Sequence, residues 1–254
     1  MVSPREPALM IALYSEDRTD ADSDFAVLRE LVYGMLQQVS PELKTNHVKL
    51  EPAQPARPER VCGSYWKVTD RAEAGAQERR RRLIRDVAAA LRLGRVVVFH
   101  VDADEVWARR RQCANVQEHW PRFARDIQTT LHNAGYPVDD SALKDILIEA
   151  IPFSEIESWA FANTVRLREL LSDPRDQALL ETWEESPGLL DEIAGIKDVL
   201  TIRDAHNRDL VQRRRGFPAA ALVAADKSYA AVVRRLRASS VVRRGVAEAA
   251  GRPF

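Results

Sequence analysis

The chain is poor in cysteine, glycine and aromatic residues, and each shortage closes off a class of protein. Its two cysteines, Cys62 and Cys113, are far apart and form no CxxC pair. A disulfide framework and a structural zinc site are therefore not expected, and a reducing compartment fits. The ten glycines make neither GxGxxG nor GxxxxGK(S/T), so the chain is not expected to bind ATP by itself. Of the five histidines, His119 and His132 fall on one expected helix without HExxH spacing, which argues against catalytic zinc. Net charge is absent too: 38 lysines and arginines balance 38 aspartates and glutamates. No overall field draws in a polyanion or an anionic membrane, so local patches must do so if anything does. The apolar run Ala8–Tyr14 is short and lacks a small-residue cleavage pattern, and nothing approaches the ~20 apolar residues of a membrane span. The expectation is a cytoplasmic protein with no membrane association.

What the chain does have is the stretch Val96-Val97-Val98-Phe99-His100-Val101-Asp102-Ala103-Asp104. A short β-branched run reads as a buried strand, and two carboxylates follow where it leaves the sheet. Residues two apart on a strand point to one side, so Asp102 and Asp104 can converge on a divalent cation if the second has begun to turn. His100 shares their face by parity; a packed strand histidine is the favoured reading and a site-lining one the alternative.

The periodicities around this stretch alternate. Residues 8–14 predict a strand, followed by a polar turn. A helix capped at Asp22 or Ser23 carries Phe25, Leu28, Leu31, Val32, Met35, Leu36 and Val39, and stops at Pro41. His47–Leu50 predicts a short strand. Residues 51–60 carry three prolines and cannot be a helix or an inner strand; with 61–75 they are expected to make a long connection, either a surface excursion near the site or a mobile loop. Further helices are expected over 76–93 and 117–133, a strand over 146–151, and a helix from Ser154. Strands alternating with helices imply a parallel, Rossmann-like α/β domain over residues 1–165. Beyond it, helices are expected over 167–171, 177–185, 189–200, 202–212 and 219–238, giving a helical, basic C-terminal region over 166–254.

Three expected strands each end in acids: Glu16, Asp17 and Asp20; Asp102 and Asp104; Glu155 and Glu157. In open α/β sheets ligands gather at the carboxyl ends of the strands. Acids gathered there repel one another and any phosphate unless a cation with a taste for hard oxygen, Mg²⁺ or Mn²⁺, sits among them. Such an ion polarises phosphoryl oxygens and generates hydroxide. Blander readings exist for some of these acids. Asp20 stands where acids favour a helix N-terminus, and Ser154-x-x-Glu157 is also a capping box.

The arrangement resembles the Toprim superfamily, in particular the nuclease families related to RloB and the OLD nucleases. Those carry Glu-Gly-x-Thr-Asp/Glu after the first strand, Asp-x-Asp after a later apolar strand, and a downstream Glu-x-Trp. Glu16-Asp17-Arg18-Thr19-Asp20, Asp102-Ala103-Asp104 and Glu157-Ser158-Trp159 match in that order, over residues 8–165. Asp17 departs from the pattern, standing where the family has glycine. The resemblance implies a Toprim-type fold and a metal-dependent nuclease acting on DNA ahead of RNA. The partner it implies is an ATPase, within an anti-phage or DNA-processing system. Glu16 would be a metal ligand or general acid/base, and Asp102 and Asp104 would hold Mg²⁺ or Mn²⁺. Asp20 would complete the shell, and Glu157 would complete it or orient a ligand. Lys227 is the candidate for a lysine that stabilises transition-state charge, with a solvated lysine at a helix start the favoured reading.

Arg109, Arg110, Arg111, Arg234 and Arg235, with the run at 79–82, are candidates for tracking a phosphate backbone, although solvated helix faces look the same. Other readings use the same aspartate pair: a haloacid-dehalogenase-type phosphatase with Asp102 as nucleophile, and a glycosyltransferase holding a diphosphate through Mn²⁺. Neither explains Glu16 or Glu157. From another class comes a catalytically silent Toprim-like subunit serving assembly or recognition. A homo-oligomer is left open.

Overall fold

Leu9–Tyr14 (β1) opens the computed structural model, which describes residues 8–16, 24–44, 48–51, 62–200, 202 and 206–251. Every residue of β1 except Met10 is buried, as a strand covered on both sides requires. Then come α1 (Asp24–Val39), β2 (Val48–Glu51), α2 (Ala74–Arg92), β3 (Val96–His100), α3 (Trp120–Asn133), α4 (Asp140–Ile146) and β4 (Leu147–Ala150). The expected α1 caps, Asp22 and Ser23, lie outside the described residues, as does most of the proline-rich stretch. The strands form one all-parallel sheet of order β2-β1-β3-β4. From β1 the chain goes to β2 on one side and then returns to β3 on the other. The β1–β3 boundary is therefore the point where the strand order reverses, at whose carboxyl end open α/β sheets have their ligand crevice.

Period-two alternation divides the core. Ile11, Leu13, Val96, Val98, Ile148 and Ala150 face one way, into a cluster with α1 and the C-terminal helices. Ala12, Tyr14, Val97, Phe99 and Leu147 face the other, against Leu83, Val87 and Leu91 of α2 and Phe123 and Ile127 of α3. All five β3 residues are buried, the pattern of a central strand.

The remaining helices are α5 (Glu157–Ala160), α6 (Thr164–Leu170), α7 (Pro174–Glu185), α8 (Asn207–Leu210), α9 (Ala219–Ala224), α10 (Ser228–Ala238) and α11 (Ser240–Ala249). Val232, Val233 and Leu236 of α10 and Val242 and Val246 of α11 share the cluster that covers β1 and β3. Three expected helices need correction, and one helix was not foreseen. Of the helix expected over 202–212, the described residues hold only α8, followed by a 3-10 turn at Arg213–Arg215. The helix expected over 189–200 is two 3-10 turns, Pro187–Glu192 and Ile196–Asp198, separated by Gly195 with φ of 61°. The helix expected over 219–238 is α9 and α10, parted at Asp226, whose φ is 55°. Helix α4 was not expected; Asp139 caps it, accepting the Ala142 N–H at 2.7 Å. Among the described residues no helix is long and apolar enough to cross a membrane.

Candidate functional site

Strands β1, β3 and β4 lie side by side, so their following residues emerge at one rim. The pairing continues past the strand ends: Ala103 N–H donates to Pro152 O at 3.0 Å, and Asp104 N–H to Ser154 O at 3.2 Å. Asp104 then turns into the left-handed region, with φ of 56°. Aspartate tolerates that geometry better than most residues because its short side chain bonds locally. Asn115, in the π turn Asn115–His119 ahead of α3, draws the turn together. Its Nδ2 lies 2.9 Å from Asp102 O, 3.2 Å from Ala103 O and 3.3 Å from Asp104 Oδ2.

Glu16 crosses the crevice. Its Oε2 accepts the backbone N–H of Asp102 at 2.8 Å. Burial pushes the Glu16 carboxyl up to about 7, and the negative charge of Asp102 adds to that; the Asp102 N–H, Lys67 and His100 work the other way. Glu157 also lies at about 7, raised first by burial and then by the charges of Asp102 and Glu155. Asn207 donates to Glu157 Oε1 at 2.7 Å and opposes the rise. Asp102 thus influences both glutamates, one from each neighbouring strand end. Ser154 does not cap α5: its Oγ accepts the Gly195 N–H at 3.2 Å, so the capping-box reading of Glu157 fails.

His100 is 1 % exposed and joins the network from below. Its Nε2 lies 3.3 Å from Asp102 Oδ1 and its Nδ1 3.2 Å from Ser15 Oγ. The Nε2–Oδ1 approach is an ion-pair contact outside hydrogen-bond geometry, whereas the serine contact is a hydrogen bond. Ser15–His100–Asp102 has the connectivity of a nucleophile relay, yet Ser15 is fully buried and no substrate reaches it. His100 instead stands beside the Asp102 carboxylate.

Two lysines flank the rim. Lys67 Nζ stands 3.3 Å from Asp104 Oδ2 and 3.8 Å from Glu16 Oε1. Lys197 Nζ lies 2.8 Å from Glu155 Oε1. Lys227, the sequence candidate, pairs with Glu192 at 2.5 Å, and Glu192 also accepts the Ala108 N–H at 2.9 Å. Lys227 therefore braces the loop after Asp104 and forms no ion pair with Glu16, Asp102 or Asp104 among the described residues. Asp20 lies outside the described residues. Arg109, Arg110 and Arg111 follow the aspartate turn directly; Arg109 pairs with Glu105 at 2.9 Å, and the Arg110 guanidinium lies 4.6 Å from the Trp107 ring centre. Arg234 pairs with Asp226 and Arg235 with Glu149 of β4, and burial pushes Arg235 down to about 10.

The donor chemistry suits a hard divalent cation: carboxylate oxygens, backed by the buried Asn207 Oδ1, which has no hydrogen-bond partner among the described residues. As they stand, however, no three His, Cys, Asp or Glu side chains among the described residues are grouped to hold one. Glu16 is turned onto an N–H, Asp102 onto His100, and Asp104 onto Lys67. Sequence reasoning missed Lys67, Asn115, Lys197 and Asn207, which sit in no local motif. No family model, curated protein or solved structure matches the chain.

Proposed function

We propose that this protein is a Toprim-type, Mg²⁺- or Mn²⁺-dependent nuclease that cleaves phosphodiester bonds in nucleic acid, with DNA ahead of RNA as substrate. Support comes chiefly from one observation: Glu16 on the β1 end meets Asp102 on the β3 end across the switch-point crevice. Burial raises the Glu16 and Glu157 carboxyls despite the hydrogen bonds they accept, a cost that a bound cation would offset. Glu16, Asp102 and Asp104 would hold the ion, with Glu157 behind them. When bound, the ion would polarise a phosphoryl oxygen and lower the pKa of its water. Glu16, with a carboxyl near 7, is matched to moving a proton at neutral pH. Asn115 holds the Asp102–Asp104 turn together. Arg109–Arg111, beside the rim, would meet the backbone of the substrate. The ATPase partner and the anti-phage or DNA-processing setting rest on the resemblance alone.

The test is incubation with supercoiled plasmid, single-stranded DNA and RNA in Mg²⁺, Mn²⁺ or EDTA. Metal-dependent cleavage lost in Asp102→Asn is expected. Turnover of an aryl phosphate with a trapped aspartyl phosphate would instead select the phosphatase reading. One observation favours the silent-subunit reading, in which the rim takes up no ion: an ammonium, Lys67, already stands between Glu16 and Asp104.

A further inference from the structure

We infer that Lys67 is a built-in competitor for the divalent cation at the Glu16–Asp104 rim, and that once displaced it becomes the site's phosphate-binding group. The inference rests on the metal-dependent reading above and adds a residue to it.

The backbone of Lys67 is held from both sides. It ends the 3-10 turn Gly63–Lys67, whose Trp66 is fully buried and packs edge-on against His119 and Phe123. The start of the turn is lashed to the end of β1: Cys62 N–H donates to Ser15 O and Gly63 N–H to Glu16 O, both at 2.8 Å. Gly63 has φ of 46°, a conformation that glycine adopts without cost. The end of the turn is fastened by Arg122, which donates to Lys67 O at 2.6 Å, and by Arg80, which donates to Trp66 O at 3.3 Å. These contacts aim the Lys67 side chain at the rim, where its ammonium lies 5.9 Å from the Trp66 ring centre as well as beside the two carboxylates. Glu16 is therefore bound twice over to this turn, through its own carbonyl and through Lys67 Nζ.

Among the described residues no other basic side chain forms an ion pair with Glu16 or Asp104. A divalent ion and an ammonium want the same oxygens, and an ion at about 2.0–2.1 Å from its ligands leaves no room for Nζ between them. Entry of the ion must push Lys67 off. The freed ammonium, still tethered at the rim, then faces an added pair of positive charges on one side and water or substrate on the other. An anionic phosphoryl oxygen held by the ion offers it a new partner. The device keeps the acidic rim neutralised while no ion is bound, and it couples ion entry to the presentation of a phosphate contact.

The test is Lys67→Met, which retains the stem, with Lys67→Arg as the charge-conserving control. Mn²⁺ binding is measured by calorimetry and by the electron paramagnetic resonance of free Mn²⁺, so no cleavage is needed. Losing both ion pairs of Lys67 is expected to tighten Mn²⁺ binding of Lys67→Met by roughly two- to thirtyfold. Lys67→Arg should stay near the wild-type Kd. At saturating Ca²⁺, binding of a single-stranded oligonucleotide should weaken in Lys67→Met, and its salt slope should fall by about 0.7, the loss of one phosphate contact. Equal Mn²⁺ affinity in wild type and Lys67→Met overturns the competitor role, and an unchanged salt slope overturns the phosphate role. If neither protein binds Mn²⁺, the metal-dependent reading itself falls and takes this inference with it.

Discussion

The Glu16 carboxylate accepts the backbone N–H of Asp102 across the gap between β1 and β3, at 2.8 Å. That bond joins two residues 86 positions apart and sets a carboxyl that burial raises to about 7 against the aspartate turn. Glu16→Gln keeps the size of the side chain and an acceptor oxygen for the N–H, so the fold should survive. Loss of a positioned acid/base group costs about 10²–10⁴-fold, and single-turnover cleavage by Glu16→Gln should fall by that factor with Mn²⁺ present. Cleavage at the wild-type rate would remove Glu16 from the chemistry.

Stability of the metal-free protein should fall as pH rises through neutrality. Glu16 and Glu157 hold their protons to about 7 in the folded state, against 4.5 for an ordinary glutamate. Between those pH values the folded state binds more protons than the unfolded one, so unfolding free energy decreases with pH. At 1.36 kcal/mol per unit, each group costs on the order of 3 kcal/mol above pH 7. Tm should be higher at pH 5.5 than at pH 8, and Glu157→Gln should raise it at pH 8 while leaving it nearly unchanged at pH 4.5. Added Mn²⁺ should stabilise more at pH 8 than at pH 5.5, because it favours the ionised carboxylates. Thermal unfolding across the pH series, with and without the ion, reads all of these effects.

Asp104 combines a left-handed backbone with a rim carboxylate. A non-glycine residue held in such a region costs on the order of 1 kcal/mol, and persists where function needs it. Asp104→Gly should therefore lose Mn²⁺ affinity while matching or exceeding wild-type stability. Asp104→Ala should lose the affinity and gain no stability. Equal stability in the two variants would show that no strain resides there.

Gly245 lets α11 press against β1. A methyl group at this position would come within 2.9 Å of Leu9 Cβ and 3.1 Å of Ala8 O. Overpacking of this kind costs about 1–3 kcal/mol, so Gly245→Ala should lower Tm without changing Mn²⁺ affinity. A loss of Mn²⁺ affinity in this variant would mean that α11 seating also sets the rim.

The alternation of β-branched runs with amphipathic helices was enough to predict the parallel α/β architecture. It also carried the acids onto strand ends, because a strand's buried run and its polar exit are adjacent in the chain. Elements whose ends depend on distant partners were not legible. Helix α10 starts at Ser228 because the Ser228 N–H donates to buried Asp191 at 2.9 Å, a bond invisible in the local pattern. The same holds for Lys227: its position suggested a site lysine, but Glu192, 35 residues upstream, holds it.

The sequence by itself determined which residues leave the strands as acids, since hydrophobic periodicity and strand exits are local properties of the chain. Only the tertiary structure decided how those acids are partnered. Strand order brought β1 and β3 side by side, a 3-10 turn anchored by Trp66 delivered Lys67, and Asn115 arrived from a position no motif marks. The physical reason is that burial and charge at one rim are sums over segments far apart in the chain, and folding alone brings those segments together.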